Sequence, residues 1–144
     1  MAARRSPPPL STEDFQSVGA FRLALRKFAA FSDASAREAG LTSQQHQALL
    51  AIRAHSGPEP MTIGELAECL LIKNHSAVEL VGRLAERDLV VRAPSEADRR
   101  RILLRLTPPA EAMLEAITRR NLAELSSNGA IFRDLLRTLK RIGA

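Results

Sequence analysis

"TIGELAECLLIKNHSAVELVGRL", residues 62–84, carries the spacing of two short helices joined by a tight turn. Thr62 and Glu65 have the spacing of a capping box, in which a hydroxyl residue precedes a Glu by three positions and marks a helix start. The apolar spacing predicts one helix over residues 63–70, a three-residue turn, and a second helix over about residues 74–87. Two short helices joined in this way are typical of a helix-turn-helix.

The second helix of this pattern separates an apolar face from a polar one. Ala77, Leu80, Val81 and Leu84 fall on one side, which predicts burial of that side. A helix presented this way fits a DNA major groove, with its N-terminal residues at the base edges. The candidate groove residues are Lys73, Asn74, His75, Ser76, Glu79 and Arg83. As an alternative, Ser76 and Glu79 form a later capping box, which would shorten the helix.

Two strands are predicted directly after this helix pair. "LVVRA" at residues 89–93 and "RILLRL" at residues 101–106 are short apolar runs, and the seven residues 94–100 between them form a hairpin loop. A hairpin that follows a helix-turn-helix is the arrangement of a winged helix. The predicted fold class is therefore mainly α, formally α+β, with a winged helix-turn-helix domain.

An aspartate followed by three arginines, residues 98–101, ends this loop and begins the second strand. Such a run alone is more often a solvated loop, but arginine is also attracted to the negative potential of narrow minor grooves. We predict that Asp98 holds Arg100 in a bidentate pair and reduces the entropy that Arg100 loses on binding. Arg99 and Arg101 are then expected to face phosphates.

The excess positive charge is concentrated in this part of the chain. The net charge is +5, and residues 73–105 contain eight basic and five acidic side chains. Arg4 and Arg5 supply the remaining excess. A merely solubilising charge would be spread out, so this distribution favours a polyanionic partner, nucleic acid first and an anionic membrane second.

Composition excludes several other classes of function. The five Phe, with no Trp or Tyr, argue against a base-stacking platform for single strands or RNA. No apolar run reaches the roughly 18 residues of a membrane span, and "MAARRSPPPL" lacks the apolar core of a secretory signal. We therefore expect no membrane association and read residues 1–11 as a disordered basic arm.

The cysteine and histidines do not indicate a chemical site. Cys69 is the single cysteine, which excludes an internal disulfide and fits a reducing cytoplasm; the neighbouring Glu65 and Glu68 favour an inert thiol. The three histidines are too scattered for a metal site, and no catalytic arrangement stands out. We expect no metal, no cofactor and no enzymatic activity.

The remaining segments are predicted to be helical. "TSQQ" at residues 42–45 is a second capping box, opening a helix to about His55, and "TPP" at residues 107–109 places proline at a first helical position. A long amphipathic helix over residues 12–39 precedes them, and a final apolar helix follows "SSNG" at residues 126–129. The terminal helices carry apolar residues that we expect at a dimer interface: Phe15, Val18, Phe132, Leu135, Leu136 and Leu139.

Four stretches make the chain resemble the MarR-type winged-helix transcription regulators: "LTSQQHQALLAI", "TIGELAECL", "VELVGRLAERDLVVR" and "DRRRILLRLT". The last looks like the wing signature of that family. The resemblance implies a homodimer joined by its terminal helices, a pseudo-palindromic operator, and release by a small ligand. Asp88 and Ala110 stand where relatives commonly have glycine, Pro108 and Pro109 are unusual, and Glu79 replaces a frequent basic residue.

The predicted function is a sequence-specific regulator of transcription. It is expected to bind double-stranded DNA as a homodimer in the cytoplasm and to act as a repressor that responds to an unidentified small molecule. The alternative is a winged-helix module that binds protein, with Glu79 and Glu86 facing a basic partner. The predicted organisation is an arm over residues 1–11, scaffold and dimerisation helices over 12–61, the winged helix-turn-helix over 62–106, and dimerisation helices over 107–144.

Overall fold

The computed structural model describes residues 8–143, so the predicted arm lies largely outside the described residues. The predicted mainly helical fold with a two-stranded wing is confirmed. In chain order, the elements are α1 (Thr12–Glu38), α2 (Ser43–Ala54), α3 (Ile63–Leu70), α4 (Asn74–Glu86), β1 (Val90–Pro94), β2 (Ile102–Leu106), α5 (Pro108–Ser127) and α6 (Gly129–Gly143).

The chain divides into two compact units. The winged unit is Asp33–Arg120, and the terminal unit comprises the described residues 8–32 and 121–143. No helix within residues 8–143 combines the length and the apolar character that crossing a bilayer would require.

The helix starts follow the local sequence signals. Thr42 and Thr62 each accept a hydrogen bond from the backbone three residues later, and both capping boxes are complete. Thr107 precedes α5 and its hydroxyl accepts from the Ala110 N–H at 3.4 Å, while donating to the Asp88 carbonyl at 2.6 Å. Gly40 follows α1 with a φ of +82°, a conformation that glycine adopts without strain.

The alternative of a late capping box at Ser76 and Glu79 is wrong. The helix α4 begins at Asn74, and the Ala77 N–H already donates to the Lys73 carbonyl at 3.1 Å. Because this bond forms the first turn, Ser76 lies inside the helix rather than at its cap. The residue that does occupy the cap, Lys73, makes no side-chain capping bond.

The ends of α4 and of the hairpin differ from the prediction by one residue each. The Leu89 N–H donates to the Leu84 carbonyl at 3.0 Å, so Leu89 belongs to the helix exit and β1 starts at Val90. The Arg101 N–H donates to the Asp98 carbonyl at 2.9 Å, which places Arg101 in the loop. The hairpin pairs antiparallel from Val90 opposite Leu106 to Pro94 opposite Ile102.

A single hydrophobic core holds the winged unit together. The buried core residues Leu49, Leu66, Leu84, Val90 and Leu104 come from α2, α3, α4, β1 and β2, so every element of the helix-turn-helix and the hairpin contributes to it. The segment before α3 joins the sheet, because the Leu104 N–H donates to the Met61 carbonyl at 2.8 Å. This packing fixes α4 and the base of the wing in one rigid framework.

In the terminal unit, α6 packs on the first part of α1. Phe21 and Phe132 meet edge to face with ring centroids 6.0 Å apart. Arg141 forms an ion pair with the buried Asp14, and its hydrogen bond is the main reason that the pKa of Asp14 lies below its ordinary value. The Ser11 N–H also donates to the Asp14 carboxylate, at 2.7 Å.

Candidate nucleic-acid interface

The polar face of α4 is exposed because its apolar face fills the core. All four residues predicted to be buried are buried, and Leu84 and Val81 are completely covered. The opposite face is open to solvent. Of the six predicted groove residues, Ser76 is half-buried and the others are exposed: Lys73, Asn74, His75, Glu79 and Arg83.

The turn between α3 and α4 orients this face. Leu71 adopts the left-handed conformation (φ 55°, ψ 41°), and the Ile72 N–H donates to the Ala67 carbonyl at 3.0 Å. This is the usual way in which a helix closes its C-terminus, although glycine is the residue that normally stands there. The side chain of Leu71 is 93% exposed, so the turn is held by backbone bonds and not by packing of this leucine.

The charged side chains on the exposed face of α4 are free to meet a ligand. Within residues 8–143, Lys73, Glu79 and Arg83 take part in no ion pair of the winged unit. Glu86 lies on the same face, is exposed, and takes part in no ion pair among the described residues. Two cations and two acids therefore face solvent here, and Glu79 is the acid nearer to the first turn of α4.

The wing tip contains the predicted contact between Asp98 and Arg100, in a weaker form. The Asp98 Oδ1 accepts from both the backbone N–H of Arg100 at 3.1 Å and its Nε at 3.4 Å. A single oxygen serves both donors, so the pair is not the bidentate one that we predicted. Arg100 is 93% exposed, which leaves its terminal nitrogens available, and Arg99 is exposed as well.

Arg101 points to acids of the protein, whereas we expected it to face phosphates. Its Nη1 lies 3.7 Å from Glu59 and its Nη2 lies 3.7 Å from Glu65. Glu65 also accepts from the Thr62 N–H at 2.8 Å, and this backbone bond is the main cause of a pKa below the ordinary value, with smaller contributions from His55 and Arg101. The three consecutive arginines therefore differ in their contacts: Arg101 meets two acids, Arg100 meets one, and Arg99 meets none among the described residues.

Sequence reasoning missed two residues that shape the wing. Ser95 is 1% exposed, and its hydroxyl accepts from the Ala97 and Asp98 N–H groups at 3.2 and 3.4 Å. It also approaches the Glu59 Oε1 at 3.3 Å. Serine is a typical turn residue, so the sequence "PSEAD" could have predicted that Ser95 shapes the loop. Nothing in the sequence connects it with Glu59.

The residues predicted for dimerisation lie in the terminal unit on α1 and α6. Phe15 is 65% exposed, and Val18, Leu136 and Leu139 are exposed too. Phe132 and Leu135 are partly covered. Large apolar side chains thus remain open to solvent on both helices.

Of the histidines, His75 lies on this interface, and His55 lies 3.8 Å from Glu65, which also contacts Arg101. Cys69 is exposed on the last turn of α3, and His46 is buried in α2. The described residues contain no group of three or more His, Cys, Asp or Glu side chains placed to hold a metal ion.

Comparison with known proteins identifies the family. Residues 39–101 match the model of the MarR family. Over 107 residues, the chain is 32% identical to the HTH-type transcriptional repressor NicR of Pseudomonas putida. That alignment covers 73% of this chain and 66% of the repressor, so the chain spans just under two thirds of that relative.

Solved structures show the same fold. MepR, a transcription regulator of the Staphylococcus aureus multidrug efflux pump MepA, is similar with a TM-score of 0.72 at 19% identity, covering 83% of this chain and 93% of that chain. The S. aureus MepR–DNA complex is similar with a TM-score of 0.61 at 22% identity, covering 83% and 95%. The match over residues 39–101 and the similarity to NicR show that the chain belongs to the MarR family of winged-helix transcription regulators.

Proposed function

We propose that the protein is a homodimeric repressor that binds a pseudo-palindromic DNA operator through α4 and the wing. The observation that carries this proposal is the open face of α4, on which Lys73 and Arg83 have no acidic partner within the described residues, in the same unit as the exposed Arg99 and Arg100. A helix of this width fits the major groove, and arginines of a wing fit the minor groove. Such a repressor acts in the cytoplasm, where its operator lies.

The first turn of α4 carries the side chains suited to reading bases. Asn74, His75 and Ser76 can each donate and accept hydrogen bonds, and the N-terminal residues of a recognition helix are those that reach the base edges. Lys73 and Arg83 at either end are suited to phosphates, which fix the register of the helix. Residues 62–106 thus form the DNA-binding part of the proposed organisation.

A dimer is needed to read two half-sites. Half-sites one DNA turn apart require two recognition helices held about 34–36 Å from each other. The exposed Phe15, Val18, Leu136 and Leu139 support an interface on α1 and α6, because burying each such side chain contributes on the order of 1.5–3 kcal/mol. We assign residues 12–61 to scaffold and dimerisation and residues 107–144 to dimerisation on this basis.

The proposed response to a small ligand is supported by a cavity in the winged unit. It has a volume of about 450 Å³, within the usual range of ligand sites. Ile52, Leu104 and Leu106 line it together with charged side chains of both signs, Arg105 and Glu59 as well as the pair of Arg53 with Glu111 at 3.0 Å. Because β2 forms one wall, a ligand bound there would contact the base of the wing.

Selection of bound sequences from random duplex DNA tests the proposal. We expect enrichment of a two-fold related pair of half-sites with centres about 10 base pairs apart. A parallel selection with Glu79→Ala asks what this acid does: if it accepts from a cytosine amine, specificity relaxes at one position, and if it only faces phosphates, affinity rises on all sequences. Absence of enrichment with the wild-type protein would contradict DNA recognition and favour the protein-binding alternative, in which Glu79 and Glu86 meet a basic partner.

A further inference from the structure

The wing loop is held by a small polar network at its base. Arg101 bridges two carboxylates, Glu59 before α3 and Glu65 on its first turn, at 3.7 Å each. Ser95, at the other end of the same loop, lies 3.3 Å from Glu59. Both ends of the loop therefore meet one acid, Glu59.

Ser95 uses the whole hydrogen-bonding capacity of its hydroxyl. A hydroxyl has one proton and two lone pairs. The lone pairs accept from the N–H groups of Ala97 and Asp98, so the proton is directed to Glu59. The Ser95 N–H in turn donates to the Arg101 carbonyl at 2.8 Å and closes the loop. The conformation from which Arg99 and Arg100 project depends on these bonds.

The acids that hold the loop are themselves fixed. The segment after Glu59 is bound to the sheet, because Met61 accepts from the Leu104 N–H at 2.8 Å and Thr62 pairs with Leu103. Glu65 is held by the capping box of α3, in which the Thr62 N–H donates to its carboxylate. The network thus joins a seven-residue loop to the rigid core of the winged unit.

We propose that Glu59 is a positioning residue for DNA binding, which it supports by holding Ser95 and Arg101 so that the wing presents Arg99 and Arg100. This proposal rests on the DNA-binding function proposed above. Arg101 acts within the network and does not neutralise a phosphate. An ordered loop loses less conformational entropy when it binds, and this lower loss strengthens binding.

The proposal and simple electrostatics predict opposite changes in DNA affinity when Glu59 is removed. Glu59 is a negative charge near a surface that binds phosphates, so charge alone predicts tighter binding when it is removed. Positioning predicts weaker binding. Glu96 is a matched control because it is an exposed acid of the same loop with no ion pair within the described part of the winged unit.

The first experiment measures affinity for a labelled duplex recovered by selection with the wild-type protein. We expect Glu59→Ala to bind on the order of tenfold more weakly as a dimer, since two loops lose their order. We expect Glu96→Ala to bind equally well or more tightly. Thermal melting of both variants shows that each is folded. If folded Glu59→Ala binds as tightly as Glu96→Ala, the proposal is wrong.

The second experiment compares the salt dependence of two arginine variants. Arg99→Gln removes a phosphate contact from each protomer and should reduce the slope of log affinity against log salt by about 1.8 for the dimer. Arg101→Gln should weaken binding without changing this slope. A reduction of the slope by Arg101→Gln equal to that of Arg99→Gln would mean that Arg101 touches phosphate, contrary to the proposal.

The third experiment needs no DNA and separates this proposal from the proposed function. Hydrogen exchange of the backbone over residues 95–100 should be faster in Glu59→Ala and unchanged in Glu96→Ala, because the acceptor Ser95 loses its support. Unchanged exchange in Glu59→Ala would overturn the network even in a protein that binds DNA. Faster exchange together with no DNA binding by the wild type would overturn the proposed function and, with it, the role assigned to Glu59.

Discussion

The strength of the salt dependence of DNA binding can be worked out from the side chains that the winged unit leaves open. Lys73, Arg83 and Arg99 make no ion pair among its described residues, and Arg100 is paired only through Nε while 93% exposed. Arg101 is set apart from this group because its guanidinium lies 3.7 Å from both Glu59 and Glu65, which is the basis of the role proposed for it above. Each protomer therefore offers four cations on α4 and at the wing tip to phosphates, and the strands add the exposed Arg92 and Arg105, which make no ion pair among the described residues either.

Each phosphate neutralised releases a counterion and contributes about −0.9 to the slope of log affinity against log salt. If the eight cations on α4 and at the wing tips of a dimer all contacted phosphates, the slope would be near −7, and we expect a value between about −4 and −7 because some of them read bases or lie beside the duplex. Between 50 and 200 mM salt, such a slope corresponds to a loss of affinity of roughly two to four orders of magnitude.

Fluorescence anisotropy of a labelled duplex at four or five salt concentrations measures this slope. Lys73→Gln should make it shallower by about 1.8 for the dimer, on every DNA sequence alike. Arg119→Gln is the matched control, because it removes the same charge from an ion pair with Glu115 on α5. A wild-type slope shallower than about −2, or an equal effect of both substitutions, would refute the assignment of this surface to DNA.

Four further outcomes are expected. Arg100→Ala should weaken operator binding by roughly 1–3 kcal/mol in a titration, which is the size of a good groove contact, and Asp98→Ala should weaken it less. Unchanged affinity in both variants would show that the wing does not contribute to DNA binding. Deletion of residues 131–144 should give a monomer or an aggregate in sedimentation, whereas a dimer with full operator affinity would place the interface elsewhere. Burial lowers the pKa of His46 from 6.5, so the folded state binds fewer protons and the free energy of unfolding should fall as the pH drops below about 6.5; thermal melting from pH 7.5 to 5.5 should show this loss in the wild type and less of it in His46→Gln. Leu71→Gly should raise the free energy of unfolding in urea by about 1 kcal/mol, because it relieves a left-handed backbone without loss of packing, and a decrease would show that the exposed leucine stabilises the fold.

Features that depend on neighbours within one or two turns of a helix could be predicted from the amino-acid sequence alone. Both capping boxes join a threonine to the third residue after it, and the apolar face of α4 repeats every three or four residues. Such interactions are present wherever the segment is helical, so residue type and spacing suffice to predict them. The bounds of α3 and the order of helices and strands followed from these local signals.

The contacts that distinguish the wing residues from one another depend on the packed fold. The sequence shows three consecutive arginines that look alike, but Arg101 is held by Glu59 and Glu65, while Arg99 stays open. Ser95 and Glu59 are 36 positions apart, and no periodicity relates them. Contacts between distant segments depend on how the core brings those segments together, and that packing is a property of the whole winged unit rather than of any short stretch of its sequence.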